Sequence, residues 1–225
     1  MKKKLLMFGT GKISECISYF FERDSEFEIC AYAVDDVFKS SKQFNNKPVV
    51  KLSECAAQYP SSDYQVFVAV GYQGMNQLRR IKIDFFKENG YVFANYQSPS
   101  VKGNFSLGEN SIVMDGALIQ PCVKFGNNVF VWGGAMIGHH AVIEDNCWLT
   151  GGCLIGGSVR MGLNSFIGLG AVVGHEVNIG EKCMLGAGTI ACKSIPAGTV
   201  LVAPNTEPHR LNSDQFIRMS SCFRT

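Results

Sequence analysis

Histidine is the side chain of this sequence best suited to proton transfer near neutral pH, and the chain contains four. His139 and His140 are adjacent, and His175 follows His139 by thirty-six residues. An imidazole beside a bound substrate can accept the proton of an attacking hydroxyl or amine. These three residues are therefore candidates for a catalytic base, with a solvated surface position as the alternative for each.

A repeat of six residues explains the spacing of these histidines. Residues 107–190 read as fourteen consecutive hexapeptides in one register, without a long insertion. The first position of each hexapeptide is apolar, the fifth is small or β-branched, and the second is often glycine. A fixed short period predicts a parallel β-helix, with three hexapeptides in each coil, whereas an α-helix would need apolar spacing near 3.6. Glycine and asparagine near the bends are expected to take positive φ values.

The same register predicts where the histidine side chains lie. The first and fifth positions should point into the helix of coils, whereas His139 and His175 occupy the third position and His140 the fourth. His139 and His175 are therefore expected two coils apart on one outer edge, with Gly157 between them. Such an edge could place a base beside a substrate cleft.

The sixth position carries an apolar column that recurs every eighteen residues. Its members are Phe130, Trp148, Phe166 and Met184. An apolar stripe on an outer face predicts packing against another subunit, with a ligand platform as the alternative. A three-faced repeat domain is compatible with a homotrimer that has clefts between its subunits.

The first hundred residues follow a different pattern, in which apolar runs alternate with amphipathic helices. This order predicts a small parallel sheet of the doubly wound, Rossmann-like type. We expect a domain at residues 1–97 and a β-helix domain with a short tail at 98–225, joined at Ser98–Pro99–Ser100. The predicted strands are 4–8, 27–34, 66–70 and 91–96, and the predicted helices are about 13–21, 76–89 and, in the tail, 213–223.

Ligands of doubly wound sheets bind at the carboxyl ends of the strands. The segments that follow three predicted strands there are Gly9–Thr10–Gly11, Asp35–Asp36 and Gly71. The glycine turn is not a complete dinucleotide fingerprint and the sheet is short, so a nucleotide or nucleotide sugar is favoured over NAD. A strand-to-helix turn without a ligand is the alternative.

Composition excludes several classes of function. Charged residues are 18%, hydrophobic residues are 46% and the net charge is +2, so neither nucleic acid nor an anionic membrane is indicated as a partner. The nine cysteines form no CxxC motif, which indicates small buried side chains in a reducing compartment rather than disulfides or zinc ligands. The apolar run near the start is too short for a signal peptide, so we expect a cytoplasmic protein.

Taken together, these segments resemble the bacterial sugar O- and N-acyltransferases. This family includes sialic acid O-acetyltransferases and N-acetyltransferases of nucleotide-linked amino-dideoxy sugars. The likeness covers about residues 5–203, and its most specific parts are listed here: Gly9–Thr10–Gly11, Asp35–Asp36, Val70–Gly71, Ile137–Gly138–His139 and 194–198. It implies a Rossmann-like sheet followed by a left-handed parallel β-helix of hexapeptide repeats.

The resemblance also implies an activity and a set of site residues. The expected reaction is direct acetyl transfer from acetyl-CoA to a nucleotide-linked amino sugar, a precursor of a cell-surface glycan such as the O-antigen of lipopolysaccharide, in a homotrimer and without a metal. His139 would be the general base. The residues expected at the substrate are Gly11, Lys12, Ile13, Asp35, Asp36 and Gly71, and those at the coenzyme are Trp148, Leu169 and Ala187.

The chain departs from the family pattern at three places. His140 stands where relatives usually have Asp or Glu, Trp132 where they often have Asn, and 203–206 where they have Gly-Val-Pro-Ala. The rival functions are sugar O-acetylation, a non-catalytic nucleotide-sugar binder and a zinc lyase that uses His139, His140 and His175. An amine depends less on the base than a hydroxyl does, which favours N-transfer.

Overall fold

The N-terminal part is a five-stranded sheet with helices. The structure, a computed structural model, describes residues 2–219. The elements of this part are β1 (Lys3–Phe8), α1 (Lys12–Asp24), β2 (Phe27–Val34), a 3₁₀ helix (Asp36–Phe38), β3 (Gln43–Phe44), β4 (Lys47–Lys51), a second 3₁₀ helix (Leu52–Glu54), α2 (Cys55–Gln58), β5 (Gln65–Val68) and α3 (Gln77–Glu88). The strand order is β3-β4-β2-β1-β5, and all neighbours are parallel except the β3–β4 hairpin.

Alternate residues of the sheet strands enter two different cores, as expected for strands that are covered on both faces. Leu5 and Met7 pack with α1 and with Phe130 and Trp148 of the repeat domain. Leu6 and Phe8 pack with α3 on the other side of the sheet. The sheet therefore lies between α3 and the repeat domain, which brings the ends of its strands close to the repeats.

Two sequence predictions for this part need correction. The strand at 91–96 is wrong, because the segment makes only one bridge, between Val66 and Phe93, before the chain enters the repeat domain. The hairpin of β3 and β4 was not predicted, and β4 extends the parallel sheet beyond β2.

The repeat domain, here called the prism, consists of stacked two-residue strands. Each strand joins the sixth position of one hexapeptide to the first position of the next, and it pairs in parallel with the strand eighteen residues away, as in Phe130 with Trp148. The strands are β6 (Tyr96–Gln97), β7 (Ile112–Val113), β8 (Leu118–Ile119), β9 (Lys124–Phe125), β10 (Phe130–Val131), β11 (Met136–Ile137), β12 (Val142–Ile143), β13 (Trp148–Leu149), β14 (Leu154–Ile155), β15 (Arg160–Met161), β16 (Phe166–Ile167), β17 (Val172–Val173), β18 (Asn178–Ile179), β19 (Met184–Leu185), β20 (Ile190–Ala191) and β21 (Val200–Leu201). The predicted register is confirmed, and the fold is a left-handed parallel β-helix.

The boundary predicted between residues 97 and 98 directly follows β6, a strand that already pairs with β7 in the prism. In the tail, β21 pairs with β19 and a helix, α4, covers Ser213–Met219. The end of the predicted tail helix and Cys222 lie outside the described residues.

Positive φ values fall at one position of the repeat. The fourth residue of all fourteen hexapeptides has φ between +53° and +74°, including His140 at +60°. The second-position glycines allow neighbouring coils to approach closely, since a Cβ at Gly138 would lie 2.5 Å from the backbone of Gly156 in the next coil. The prediction that Gly and Asn take positive φ at the bends therefore holds for the fourth position. The second-position glycines are instead required because successive coils stack closely.

The three faces of the prism differ in what their sixth positions present. The covered face contains β6, β7, β10, β13, β16, β19 and β21, the apolar face contains β8, β11, β14, β17 and β20, and the polar face contains β9, β12, β15 and β18. The prediction that the Phe130 column packs against another subunit is wrong for its first members. Phe130 and Trp148 are buried against the N-terminal sheet of the same chain, with 5.7 Å between the Phe67 and Phe130 ring centroids.

A second apolar column, which was not predicted from the sequence, is exposed on the apolar face. Its sixth-position residues are Leu118, Met136, Leu154, Val172 and Ile190. Leu118 is 58% exposed and Ile190 is 68% exposed. This face therefore presents exposed apolar side chains to a partner.

Candidate functional site

His139 lies on the edge between the apolar and polar faces, where the repeat fixes its backbone. Its N–H donates to Gln120 Oε1 at 2.8 Å, and its carbonyl accepts from the Ser158 N–H at 2.8 Å. The imidazole lies against Gly157, since a Cβ there would be 2.7 Å from both Cε1 and Nε2 of His139. Glycine in the next coil therefore makes the space that the ring occupies.

The neighbouring ring orients His139 further. The Nδ1 atoms of His139 and His140 are 3.1 Å apart, and the two rings are nearly perpendicular at 82°. One of these nitrogens must carry the proton of this hydrogen bond. When the proton is on His139, its Nε2 has a free lone pair and can act as a base.

His175 and Gly157 complete the edge. The Gly157 N–H donates to His175 Nδ1 at 2.9 Å, so the neutral His175 carries its proton on Nε2. His139 and His175 therefore lie on one edge with Gly157 between them, as predicted, and Gly157 contacts both rings. Among residues 2–219, no group of three or more His, Cys, Asp or Glu side chains is arranged to hold a metal ion.

A cavity of about 450 Å³ lies on the edge between the covered and apolar faces. It is lined by the three residues predicted for the coenzyme, Trp148, Leu169 and Ala187, and by the aromatic rings of Tyr72, Trp132 and Phe166. The Tyr72 ring is 4.6 Å from that of Phe166 and 5.6 Å from that of Trp148. The structure brings the predicted coenzyme residues together, and their role remains a prediction.

Glycine occupies the fourth repeat position along this cavity edge in all five coils: Gly116, Gly134, Gly152, Gly170 and Gly188. At the edge between the polar and covered faces, asparagine takes the same left-handed position in four coils: Asn110, Asn128, Asn146 and Asn164. Backbone conformation alone does not require glycine there, because asparagine also adopts it. The glycine column leaves the cavity edge free of side chains at these bends.

A buried arginine joins the cavity wall to the N-terminal sheet. Arg79 is fully buried, its Nε donates to Asn128 Oδ1 at 2.6 Å, and an Nη donates to the Gly71 carbonyl at 3.2 Å. Its guanidinium carbon lies 4.2 Å from the Phe130 ring centroid and 5.1 Å from that of Trp148. Burial lowers the pKa of Arg79 to about 9, and within residues 2–219 no acidic side chain forms an ion pair with it.

The residues predicted to hold a nucleotide sugar lie at the carboxyl ends of β1, β2 and β5. Gly11 is the N-cap of α1, and Lys12 and Ile13 begin that helix. The N-terminus of such a helix favours a negatively charged group. Gly71 is buried and follows β5, where Arg79 holds its carbonyl.

The two acidic residues after β2 differ in their partners. Asp35 forms an ion pair with Lys82 of α3. Asp36 accepts from the Ser53 hydroxyl at 2.6 Å and from the Ser53 N–H at 3.1 Å, and these bonds lower its carboxyl pKa. Both line a cavity of about 440 Å³ together with Phe38, which is 72% exposed.

Several residues of these sites were not identified from the sequence. Tyr72 directly follows Gly71, and its position after a strand end was the available signal. Arg79 belongs to an ordinary helical pattern in α3, which contains no signal for burial. Trp132 was noted only as a departure from the family pattern, although it lines the cavity.

No helix among residues 2–219 is long and apolar enough to span a membrane.

The sheet and prism together have counterparts of known structure. No protein-family model matches the sequence, and no curated protein matches it. The acetyltransferase domain of PglB from Neisseria gonorrhoeae superposes with a TM-score of 0.78 at 21% identity, over 88% of this chain and 96% of that one. A variant of perosamine N-acetyltransferase from Caulobacter crescentus, with one histidine replaced by asparagine and in complex with CoA and GDP-perosamine, gives 0.79 at 22%, over 88% and 92%. WeeI from Acinetobacter baumannii gives 0.73 at 19%, over 90% and 97%.

The chain has the fold of these proteins. At these identities the likeness concerns the fold alone, and it includes both the N-terminal sheet and the prism because nearly the whole length of each chain is covered. The predicted architecture is thereby confirmed. The chemistry rests on the residues described above.

Proposed function

We propose that the protein is an acetyltransferase that moves the acetyl group of acetyl-CoA to the amine of a nucleotide-linked amino-dideoxy sugar. The observation that carries this proposal is the geometry of His139, an exposed imidazole held against Gly157 with its Nδ1 bonded to His140. The proposal is supported by the shared fold with perosamine N-acetyltransferase, whose complex contains CoA and GDP-perosamine.

His139 would act as the general base of a direct transfer. The amine nitrogen bonds to the thioester carbonyl carbon while Nε2 of His139 accepts the amine proton. The carbon–sulfur bond then breaks, and the imidazolium returns that proton to the departing thiolate. His140 Nδ1, 3.1 Å from His139 Nδ1, would accept a hydrogen bond from the imidazolium during this step.

The two ligands would bind on opposite sides of the Gly71–Tyr72 segment. The aromatic cavity with Trp148, Leu169 and Ala187 would receive the acyl donor. Gly11, Lys12, Ile13, Asp35, Asp36 and Gly71 would bind the nucleotide sugar.

A homotrimer would bring these parts together. His139 and the aromatic cavity lie on opposite edges of the exposed apolar face. When three copies turn this face toward a threefold axis, each cavity edge meets the histidine edge of the next copy. The apolar column with Leu118, Leu154 and Ile190 would be buried by the same packing, which supports a trimer over a monomer.

The test of the activity is acyl transfer to a panel of UDP-, dTDP- and GDP-linked 4-amino and 3-amino sugars, measured as free CoA thiol. We expect turnover with at least one amino sugar and an amide product. An ester product formed only from hydroxyl sugars would favour O-acetylation instead. Ligand binding without any turnover would favour the non-catalytic binder.

The test of the trimer is the mass of the protein in solution and of its Leu154→Lys variant. Leu154 is 41% exposed in the middle of the apolar face, so a charge there should give monomers with an unchanged fold. A wild-type monomer would contradict the trimer. A cytoplasmic location, expected from the sequence, remains part of the proposal.

A further inference from the structure

Trp132 has an unused hydrogen-bond donor in a ring that lines the aromatic cavity. Its Nε1 is buried and has no hydrogen-bond partner, while its ring lines the cavity. The indole nitrogen can only donate, and buried tryptophan N–H groups usually find an acceptor. An unpaired buried donor costs about 1–3 kcal/mol of stability. The Trp132 ring packs against that of Trp148, with 5.5 Å between the centroids, but this contact does not explain why an indole N–H is placed there.

The other side chains around the cavity narrow the chemistry of its ligand. No charged residue lines it, so a phosphate or a diphosphate would lack its usual partners there. The Thr150 hydroxyl already donates to the Ile167 carbonyl at 2.8 Å. The cavity is therefore suited to a mostly apolar ligand that offers a neutral hydrogen-bond acceptor.

We propose that the Trp132 indole N–H donates a hydrogen bond to a carbonyl oxygen of the pantetheine arm of acyl-CoA. This inference rests on the proposed function and adds a specificity-determining residue to the donor site. The arm is an alkyl chain with amide carbonyls, which matches the aromatic walls, the Trp132 indole N–H and the hydroxyl of Tyr72, which also lines the cavity. The phosphates of the coenzyme would lie outside the cavity, along the glycine edge that contains Gly170 and Gly188.

The test compares Trp132→Phe with wild type by calorimetry, using CoA, pantetheine and 3′,5′-ADP as separate probes. Phenylalanine keeps an aromatic ring and removes the donor. We expect five- to tenfold weaker binding of CoA and pantetheine, and unchanged binding of 3′,5′-ADP. Equal binding of CoA by both proteins, or an equal loss for 3′,5′-ADP, would overturn the inference.

A second variant gives a direct signal from the indole. The chain has two tryptophans, so Trp148→Phe leaves Trp132 as the only one. Because Trp148 itself lines the cavity, calorimetry first establishes the CoA concentration that saturates this variant. Its emission should then shift to the red with bound CoA or pantetheine and stay constant with 3′,5′-ADP. No shift while calorimetry shows CoA bound to the variant would contradict the hydrogen bond, whereas the absence of CoA binding to wild type would instead refute the proposed function.

Discussion

The substitution Gly157→Ala should separate the position of the proposed base from the stability of the fold. The new Cβ would lie 2.7 Å from Cε1 and Nε2 of His139, whereas ordinary contact begins at 3.4 Å, so the ring must move by about 0.7 Å or change rotamer. Misplacement of a reacting group by about 1 Å can cost about 100-fold in rate. We expect kcat to fall about 10- to 100-fold, with folding stability unchanged or slightly increased because alanine restricts the unfolded chain.

The matched control is Gly174→Ala, one residue before His175. A Cβ there would have no neighbour closer than 3.5 Å, so both kcat and the melting temperature should stay near wild type. Both variants would be compared in CoA release at saturating substrates and in thermal unfolding. A Gly157→Ala protein with full activity and a native melting temperature would refute the reasoning, because the ring would then not need its observed position.

Three further predictions concern other features. His140→Glu should raise kcat/KM about twofold or more over wild type, because a carboxylate only accepts hydrogen bonds and so keeps the proton on His139 Nδ1. His140→Gln should lower kcat/KM, and equal rates for the two variants would contradict this role of residue 140. The hydrogen-bonded Arg23, 2.7 Å away, is the largest cause that lowers the carboxyl pKa of Asp115, so the bridge contributes stability above the ordinary carboxyl pKa, and this stability is lost as the pH falls through the lowered value. The melting temperatures of wild type and Asp115→Asn should therefore differ slightly at pH 7 and converge in acid, and a difference that stays constant with pH would argue against the bridge. Burial raises the thiol pKa values of Cys147 and Cys153 to about 12, so iodoacetamide should modify them only after unfolding, and mass spectrometry that finds them labelled in native protein would contradict their burial.

The hexapeptide period allowed the prism to be predicted because each coil repeats the same two physical demands. Apolar first positions fill the interior, and the fourth position must adopt a left-handed conformation. The alignment of His139, Gly157 and His175 followed from this register alone. The hydrogen bond between His139 and His140 did not, because it depends on side-chain rotamers that the period does not specify.

Tertiary packing decided the points that the sequence could not. Sixth-position columns on two faces are apolar, and only the docked N-terminal sheet determines that the one with Phe130 is covered. The alternation in 91–96 suggests a strand, but the chain leaves the sheet after the bridge at Phe93. Arg79 is buried because α3 packs against the prism at this residue. The helical pattern of α3 alone could not predict that burial.

The most direct test of the central claim is kcat/KM for wild type and His139→Ala with the best nucleotide-linked amino sugar. The fold and the CoA affinity of the variant would be measured first. Both should match wild type, because His139 lies outside the aromatic cavity. We expect a loss of about 100- to 10,000-fold with CoA affinity retained. A variant that transfers acetyl groups at the wild-type rate would contradict His139 as the base and, with it, the proposed mechanism.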